Sequence, residues 1–444
     1  MKSLKFIFLF LLFGISTSAQ EKTILLDSLF KTMHIHSQFN GNVLIAENGK
    51  IFYKNCFGYA DREKQIELND NTLFNTGSVS KIFTAIAIQQ LEEKNKLIIS
   101  DQVVKYLPEF PYPDIKIHHL LIHAGGLPGD YELLKNSNWD NSKIATNENV
   151  LSALYTQKPE LKFTPGENSA YSNLGFIILA EIVESASGTD FREYLHNNIF
   201  EPANMVRTNI YDREEIKEIK NVAKGYLFYP FTGKYEIAIE IPEFSSNYVV
   251  SGFQGDGNVY SSILDLYNFY KALTSRKLIS KQSLEKALQK HILAHDANGK
   301  NEFGVSFGYG WSIADAPIKI VQRGGELPGY LSNSIWNVTD NELIIYLMND
   351  YLSYLSYQRQ IYYSYSKILY QNKLDIPKLL ASIELSKIAV TSTLQEMDNK
   401  IKEIKGNPDL YTIDVDGLRF LVHKLTELQQ REKAELMMKS FKPE

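Results

Sequence analysis

The stretch "LFNTGSVSKIFTAIAIQQLEEKNKL", beginning at Leu73, constrains the fold more than any other part of the chain. From about Ser78 to Lys94, the apolar residues Val79, Ile82, Phe83, Ala85, Ile86, Ile88 and Leu91 cover most of a helical circumference. A helix that is apolar nearly all round belongs in a core, so other elements must enclose it. The same run carries Ser78, Ser80 and Lys81 at its start. Lysine is almost never fully buried without a partner. Either solvent reaches Lys81, or its ammonium is used inside.

The neighbouring segments show what could enclose that helix. "FNGNVLIAENGKIFYKNCFGYAD" alternates around Asn48 and Gly49, which predicts a hairpin with strands near Asn42–Ala46 and Lys50–Cys56. From about Asp101 to Leu273 the chain turns to helices and long loops, with turns at "LPEFPYPD", "AGGLPGD" and "TPGEN". "NLGFIILAEIVESASG" and "SSILDLYNFYKAL" read as two further apolar helices, the first ending at Gly188. Strand patterns return at "FGYGWSIA", "IKIVQRGG", "LSNSIWNV" and "ELIIYLMN". Sheet-forming segments at both ends of a mostly helical insertion predict an α+β layered domain, with a cleft where the two parts meet. That domain is placed at residues 20–374, its helical lobe at about 77–273, and a C-terminal helical extension at 375–444. The extension reads as a helical hairpin and as a docking surface for a protein partner.

The beginning of the chain is a different kind of segment. Lys2 and Lys5 precede an apolar run from Phe6 to Ile15, and small residues lead to Ala19. This is the pattern of a secretory signal peptide, residues 1–19, cleaved near Ala19. The run is too short to span a membrane, which predicts a secreted or periplasmic protein. The single cysteine, Cys56, rules out an intramolecular disulfide and reads as an inert thiol. A net charge of -5 without a basic stripe gives nucleic-acid binding no support.

Ser-x-x-Lys occurs four times, starting at Ser28, Ser78, Ser283 and Ser364. Only Ser78 follows a Thr-Gly turn and opens a long apolar helix. Residues three apart share a helical face, so Lys81 would lie over Ser78. Its ammonium can hydrogen-bond the hydroxyl and, with its pKa lowered by burial, accept the proton. The plainer alternative has Ser78 as an N-cap and Lys81 reaching solvent. A second element, "FTPGENSAYSNLGF", places Tyr171, Ser172 and Asn173 in a loop just before a buried helix.

Taken in order, "FNGNVLIAENGKIFYKNCFGYAD", "NDNTLFNTGSVSKIFTA", "LPEFPYPDIKIHHLLIHAGGLPG", "FTPGENSAYSNLG" and "GDGNVYSSILDLYNF" resemble the class C β-lactamase and penicillin-binding-protein group of serine hydrolases, from roughly Asn40 to Tyr346. The resemblance implies an antiparallel sheet flanked by helices. It implies Ser78 as the acylated nucleophile, Lys81 as its activator, and Tyr171 exchanging protons with Ser78 and the leaving group. Asn173 would bind the substrate's amide side chain and orient Lys81. The oxyanion hole would come from the backbone N–H groups of Ser78 and of a residue on an edge strand. That strand departs from the group's Lys-Thr-Gly or His-x-Gly pattern, because "RGGELPGY" puts Arg323, Gly324 and Gly325 there. Glu326 would then supply the second N–H. Arg323 keeps a cation for a substrate carboxylate, but Gly324 brings no hydroxyl, which argues against a dedicated β-lactamase.

Other signals are weaker. "GVSFG" at Gly304–Gly308 matches a nucleophile elbow, but a strand reads after Ser306 where a helix is needed. His118, His119 and His123 lack a His-Glu-x-x-His arrangement and read as packed or surface histidines. "GFQGDGN" reads as loop chemistry near the cleft, and the tyrosines from Tyr351 to Tyr370 as a helix on the sheet with hydroxyls outward. The expectation is a secreted serine hydrolase acting through an acyl-enzyme on a small-molecule or peptide substrate, with no cofactor and no metal. D-amino-acid peptides, small esters and β-lactams are the substrates in falling order. A catalytically weak penicillin- or peptide-binding module and an acyl transferase are the rival readings.

Overall fold

Asn48 and Gly49, with φ of 51° and 71°, supply the left-handed conformations that a tight hairpin turn needs. They join strand β1 (Gly41–Glu47) to β2 (Lys50–Phe57). The computed structural model describes residues 20–442 except 230–231, 233, 245, 296–300, 302–303, 316–317 and 352–356. The expected signal segment, residues 1–19, lies outside the described residues. The late strand-forming segments give β3 (Ile292–Leu293), β4 (Ser306–Phe307), β5 (Ser312–Ala314), β6 (Ile320–Leu327), β7 (Tyr330–Asn337) and β8 (Glu342–Met348). All eight form one antiparallel sheet in the order β3-β4-β5-β6-β7-β8-β1-β2, so the two ends of the domain meet where Gly41 pairs with Met348. The "FGYGWSIA" run is strand only in two short pieces, because Gly310, at φ 77°, turns the chain between β4 and β5.

Strand alternation explains why both faces are covered. Leu343, Ile345 and Leu347 of β8 point into one apolar cluster, and Ile344, Tyr346 and Met348 into another. With side chains alternating across the pleat, a strand that is apolar from Leu343 to Met348 needs packing on both sides. On the first side lie α1 (Ser80–Glu93), α2 (Asn173–Ser187) and α3 (Ile263–Thr274). The helix at residues 20–35 and α4 (Gln358–Gln371) cover the second. α1 is enclosed as its composition predicts, with every residue from Ser80 to Leu91 buried. Phe83 meets Phe200 and Phe269 edge-on, with ring centroids 5.4 and 4.9 Å away. The tyrosine helix is divided. Tyr363 and Tyr370 are exposed, but Tyr365 packs inward with its hydroxyl buried and unbonded, which corrects the expectation of hydroxyls outward.

β6 positions the cleft. β5 pairs with it only as far as Ser312 opposite Gln322, so Arg323–Leu327 have no strand neighbour on that side. The Thr76–Ser78 turn occupies the open edge, so close that a Cβ on Gly325 would lie 2.0 Å from the Thr76 carbonyl oxygen. Only glycine fits there. The expected edge strand is therefore an interior strand with a local free edge.

Residues 379–441 surround a separate apolar cluster that includes Leu385, Met397, Ile401, Leu418 and Met437. Four helices form it, Ala381–Ser386, Leu394–Gly406, Val415–Glu427 and Arg431–Phe441, where the sequence reading expected a hairpin of two. It joins the body through Gln38 Nε2, which donates to the Pro377 carbonyl at 3.0 Å, and through Lys424, paired with Glu243 at 3.4 Å.

Because Phe83 is wholly buried between two rings, Phe83→Ala is expected to cost about 3–5 kcal/mol, read from the urea midpoint.

Candidate active site

Ser78 sits in a 3-10 turn, Gly77–Val79, that leads directly into α1. Gly77 takes φ 50°, and side chains lock the turn on both flanks. Thr76 Oγ1 donates to the Val259 carbonyl at 2.7 Å, and Ser80 Oγ donates to the Gly77 carbonyl at 2.7 Å. Lys81, one turn on, has no exposed surface. Its Nζ donates to Ser78 Oγ at 3.1 Å, to Asn173 Oδ1 at 2.8 Å and to the Asp256 carbonyl at 2.7 Å. Three acceptors thus meet the three N–H bonds of an ammonium. Ser172 caps α2 by accepting from the Gly175 N–H, which fixes Asn173 as that helix's first residue.

Tyr171 approaches Ser78 from the other side, and its hydroxyl donates to Ser78 Oγ at 2.7 Å. The residue is 44 % exposed to the cleft, and two cations, Arg323 and Lys81, act on its hydroxyl. Arg323 Nη2 donates to the Tyr171 oxygen at 2.6 Å, and Arg323 Nε donates to the Ser78 carbonyl at 2.8 Å. Burial alone would raise the Tyr171 pKa. Arg323, Lys81 and the Ser78 hydrogen bond outweigh it and leave the phenol below its ordinary value. Arg323 is only 3 % exposed. The sequence reading aimed it at a substrate carboxylate, but these two hydrogen bonds turn it inward.

Gly325 and Glu326 lie on the free edge of β6. Leu327 pairs with Tyr330 across the tight Pro328–Gly329 turn, and Gly325 with Ser332. The alternation of an antiparallel ladder then directs the Glu326 N–H to the open side. A Cβ on Gly325 would lie 2.7 Å from the Ser78 nitrogen, and one on Gly77 would lie 3.0 Å from the Glu326 nitrogen. The two backbone N–H groups therefore share one short stretch of edge, while the Glu326 side chain is exposed.

One residue at this site, Asp256, was not singled out from sequence, and a second, His123, was read there only as a packed or surface histidine. Asp256, in the glycine-rich loop, holds Lys81 through its main chain, which side-chain patterns do not reveal. Its carboxyl is pushed up to about 7 by burial, against the pull of Lys81, and Oδ1 makes no hydrogen bond. His123 lies under the Tyr171 ring at 4.4 Å, with Nδ1 accepting from the Ser172 N–H. Burial, then Arg323 and Lys81, holds its pKa well below the usual value, so it packs as a neutral ring. The other signals lie elsewhere. Ser306 is buried in β4, and His118 hydrogen-bonds the Tyr309 hydroxyl at 3.1 Å. The Cys56 thiol is pushed up to about 12 by burial and by Asp70. A carboxyl whose pKa is raised on folding binds its proton more tightly in the native state, so stability falls as pH climbs from about 4 to 7. Asp256→Asn removes that loss. Relative to the parent, it should gain about 2–3 kcal/mol between pH 5 and pH 8 in denaturant titrations.

The family described as Beta-lactamase matches residues 26–359. Penicillin-binding protein 4* of Bacillus subtilis (strain 168) is 38 % identical over 364 residues, covering 81 % of this chain and 78 % of that protein. Teichoic acid D-alanine hydrolase of Staphylococcus aureus is 31 % identical over 245 residues, 55 % of this chain and 56 % of that one. Among solved structures, a penicillin binding protein from Bacillus halodurans superposes with a TM-score of 0.64 at 26 % identity, covering 75 % of this chain and 99 % of its own. With its antiparallel sheet and flanking helices, the chain belongs to the beta-lactamase family and is a serine hydrolase of that type.

Proposed function

We propose that Ser78 is the nucleophile of an acyl-enzyme mechanism with Tyr171 as general base. The observation that carries this reading is the double hydrogen bond on Ser78 Oγ, from Lys81 Nζ and from a phenol that Arg323 also holds. Lys81 Nζ meets three oxygen atoms, the number an ammonium can serve. Its charge and that of Arg323 favour the Tyr171 phenolate. Ser78 Oγ attacks the substrate carbonyl carbon as its proton passes to Tyr171. The carbonyl oxygen becomes an oxyanion facing the Ser78 and Glu326 N–H groups, a contribution of about 2.7–4 kcal/mol per donor in comparable sites. Collapse breaks the C–N or C–O bond, and the leaving group takes the proton from Tyr171. Water then attacks the acyl ester, gives its proton to Tyr171, and Ser78 Oγ recovers a proton as it leaves.

The favoured substrates are D-amino-acid amides or peptides of the cell wall and small esters. The D-alanine named for the staphylococcal relative supports this class. β-Lactams rank last, because Arg323 is turned to Tyr171 and Gly324 brings no hydroxyl. Asn173 would receive the substrate's amide side chain. The charged and apolar start of the chain supports action outside the cytoplasm, and among the described residues no helix is long and apolar enough to cross a membrane. A pure binding module would have no use for a phenol tuned by two cations.

Intact mass after exposure to a fluorophosphonate and, separately, to a penicillin tests the assignment. One fluorophosphonate adduct per chain is expected, absent in Ser78→Ala and formed about 100-fold more slowly or worse in Tyr171→Phe. A folded parent that takes no adduct from either probe would overturn it.

A further inference from the structure

The loop that holds Lys81 through a carbonyl also carries a carboxylate that the mechanism above leaves idle. Ser78 Oγ and the Asp256 carbonyl oxygen both bond Lys81 Nζ, at 3.1 and 2.7 Å. They are thus no farther apart than those two lengths together. Other bonds fix the loop. Thr84 Oγ1 donates to the Gly255 carbonyl at 2.6 Å, and the Gln254 N–H donates to Asn147 Oδ1 at 2.9 Å.

Held there, Asp256 is half-buried, and its carboxylate receives no hydrogen bond from another described residue. Oδ1 is buried, and Oδ2 is the oxygen that keeps surface. Lys81 does not close the gap, since Ser78, Asn173 and the Asp256 carbonyl take its N–H bonds. Room lies alongside, because a Cβ on Gly257 would meet nothing within 4 Å.

Asp130 comes from a neighbouring loop, at the start of the helix Asp130–Asn136. The segment before it runs beside the Tyr171 loop. There the Ala170 N–H donates to the His123 carbonyl and the Gly166 N–H to the Ala124 carbonyl, both at 2.9 Å. Burial raises the Asp256 pKa, Lys81 lowers it and Asp130 raises it again, so the two acids stand within electrostatic reach. Near the nucleophile are two cations, Lys81 and Arg323, against Asp130, Glu132 and Asp256. None of these three acids enters an ion pair among the described residues. A Tyr171 phenolate adds a further negative charge during the reaction. A cation on the substrate would offset that excess.

Distance selects which cation. In the acyl-enzyme a nitrogen on the α-carbon is three bonds from Ser78 Oγ, roughly 3–4 Å by standard bond lengths. Asp256, bonded to the same Lys81 Nζ as Ser78, is the acid placed to meet it.

We propose that Asp256, supported by the charge of Asp130, binds the free α-ammonium of an aminoacyl substrate. The hydrolase then takes esters and amides of unblocked amino acids in preference to N-acylated ones. The ammonium replaces the amide that the resemblance assigns to Asn173, whose Oδ1 stays on Lys81. The proposal rests on the acyl-enzyme reading above and narrows its substrate class.

D-Alanine 4-nitroanilide and its N-acetyl derivative test it at pH 7, below the ordinary α-amino value near 8. The free amine should exceed the N-acetyl substrate in kcat/KM by about tenfold or more. That ratio should fall to about one in Asp256→Asn and fall less in Asp130→Asn. Asp256→Asn keeps the main-chain carbonyl that holds Lys81. The ratio is read within one variant, so a general change of rate does not enter it. A parent ratio of about one or below, or one undiminished in Asp256→Asn, overturns the proposal. If neither anilide is turned over, binding of D-alaninamide and N-acetyl-D-alaninamide to Ser78→Ala decides. Tighter binding of D-alaninamide that Ser78→Ala/Asp256→Asn loses supports the ammonium site even if the hydrolase reading fails. Equal or weaker binding of D-alaninamide overturns the site, while fluorophosphonate labelling of Ser78 reports on the hydrolase reading separately.

Discussion

A lysine without exposed surface is the constraint on which the rest of this structure depends. An uncompensated buried ammonium is unstable enough that a protein either supplies partners or loses the charge. Here the partners come from three distant parts of the chain. Ser78 lies one turn away, Asn173 opens another helix, and Asp256 belongs to the glycine-rich loop that precedes α3. Satisfying Lys81 therefore requires α1 and α2 to pack side by side and the glycine-rich loop to fold over both. Gly255 allows that approach, since at φ 96° a Cβ on it would lie 2.3 Å from the Phe176 carbonyl oxygen.

The second organising element is the free edge of β6. Because β5 stops opposite Gln322, backbone groups that would otherwise be bound in a ladder remain available beside the nucleophile. The same truncation lets Arg323 fold back beneath Tyr171. One cation on each side of a phenol is an unfavourable pair until the phenol ionises, and each then supports the anion. Neutral His123, packed beneath the ring, adds no third charge.

Much of this was legible in the sequence, and unevenly so. The apolar circumference of α1 announced a core helix, and Asn48–Gly49 announced the hairpin, since both depend on local pattern. The spacing of Ser78 and Lys81 and the setting of Tyr171 and Asn173 could be read as chemistry, with their roles implied by resemblance. What stayed hidden depends on tertiary geometry. The Asp256 contribution runs through a carbonyl, which every residue possesses. The inward turn of Arg323 follows from strand register, and the placement of His123 from its φ of 57° and its burial. Of the two C-terminal helices beyond the expected hairpin, Ala381–Ser386 is too short for a periodic signal.

The account stands on Tyr171 being the group that ionises. The most direct measurement is a pH titration of 13Cζ-tyrosine resonances, with Tyr171 identified by its loss in Tyr171→Phe. The account predicts that Tyr171 titrates below the ordinary value near 10 and moves upward in Arg323→Met. Tyr270 and Tyr346, raised by burial, should remain protonated over the same range. A Tyr171 resonance that titrates at or above 10, or that ignores the loss of Arg323, would contradict it.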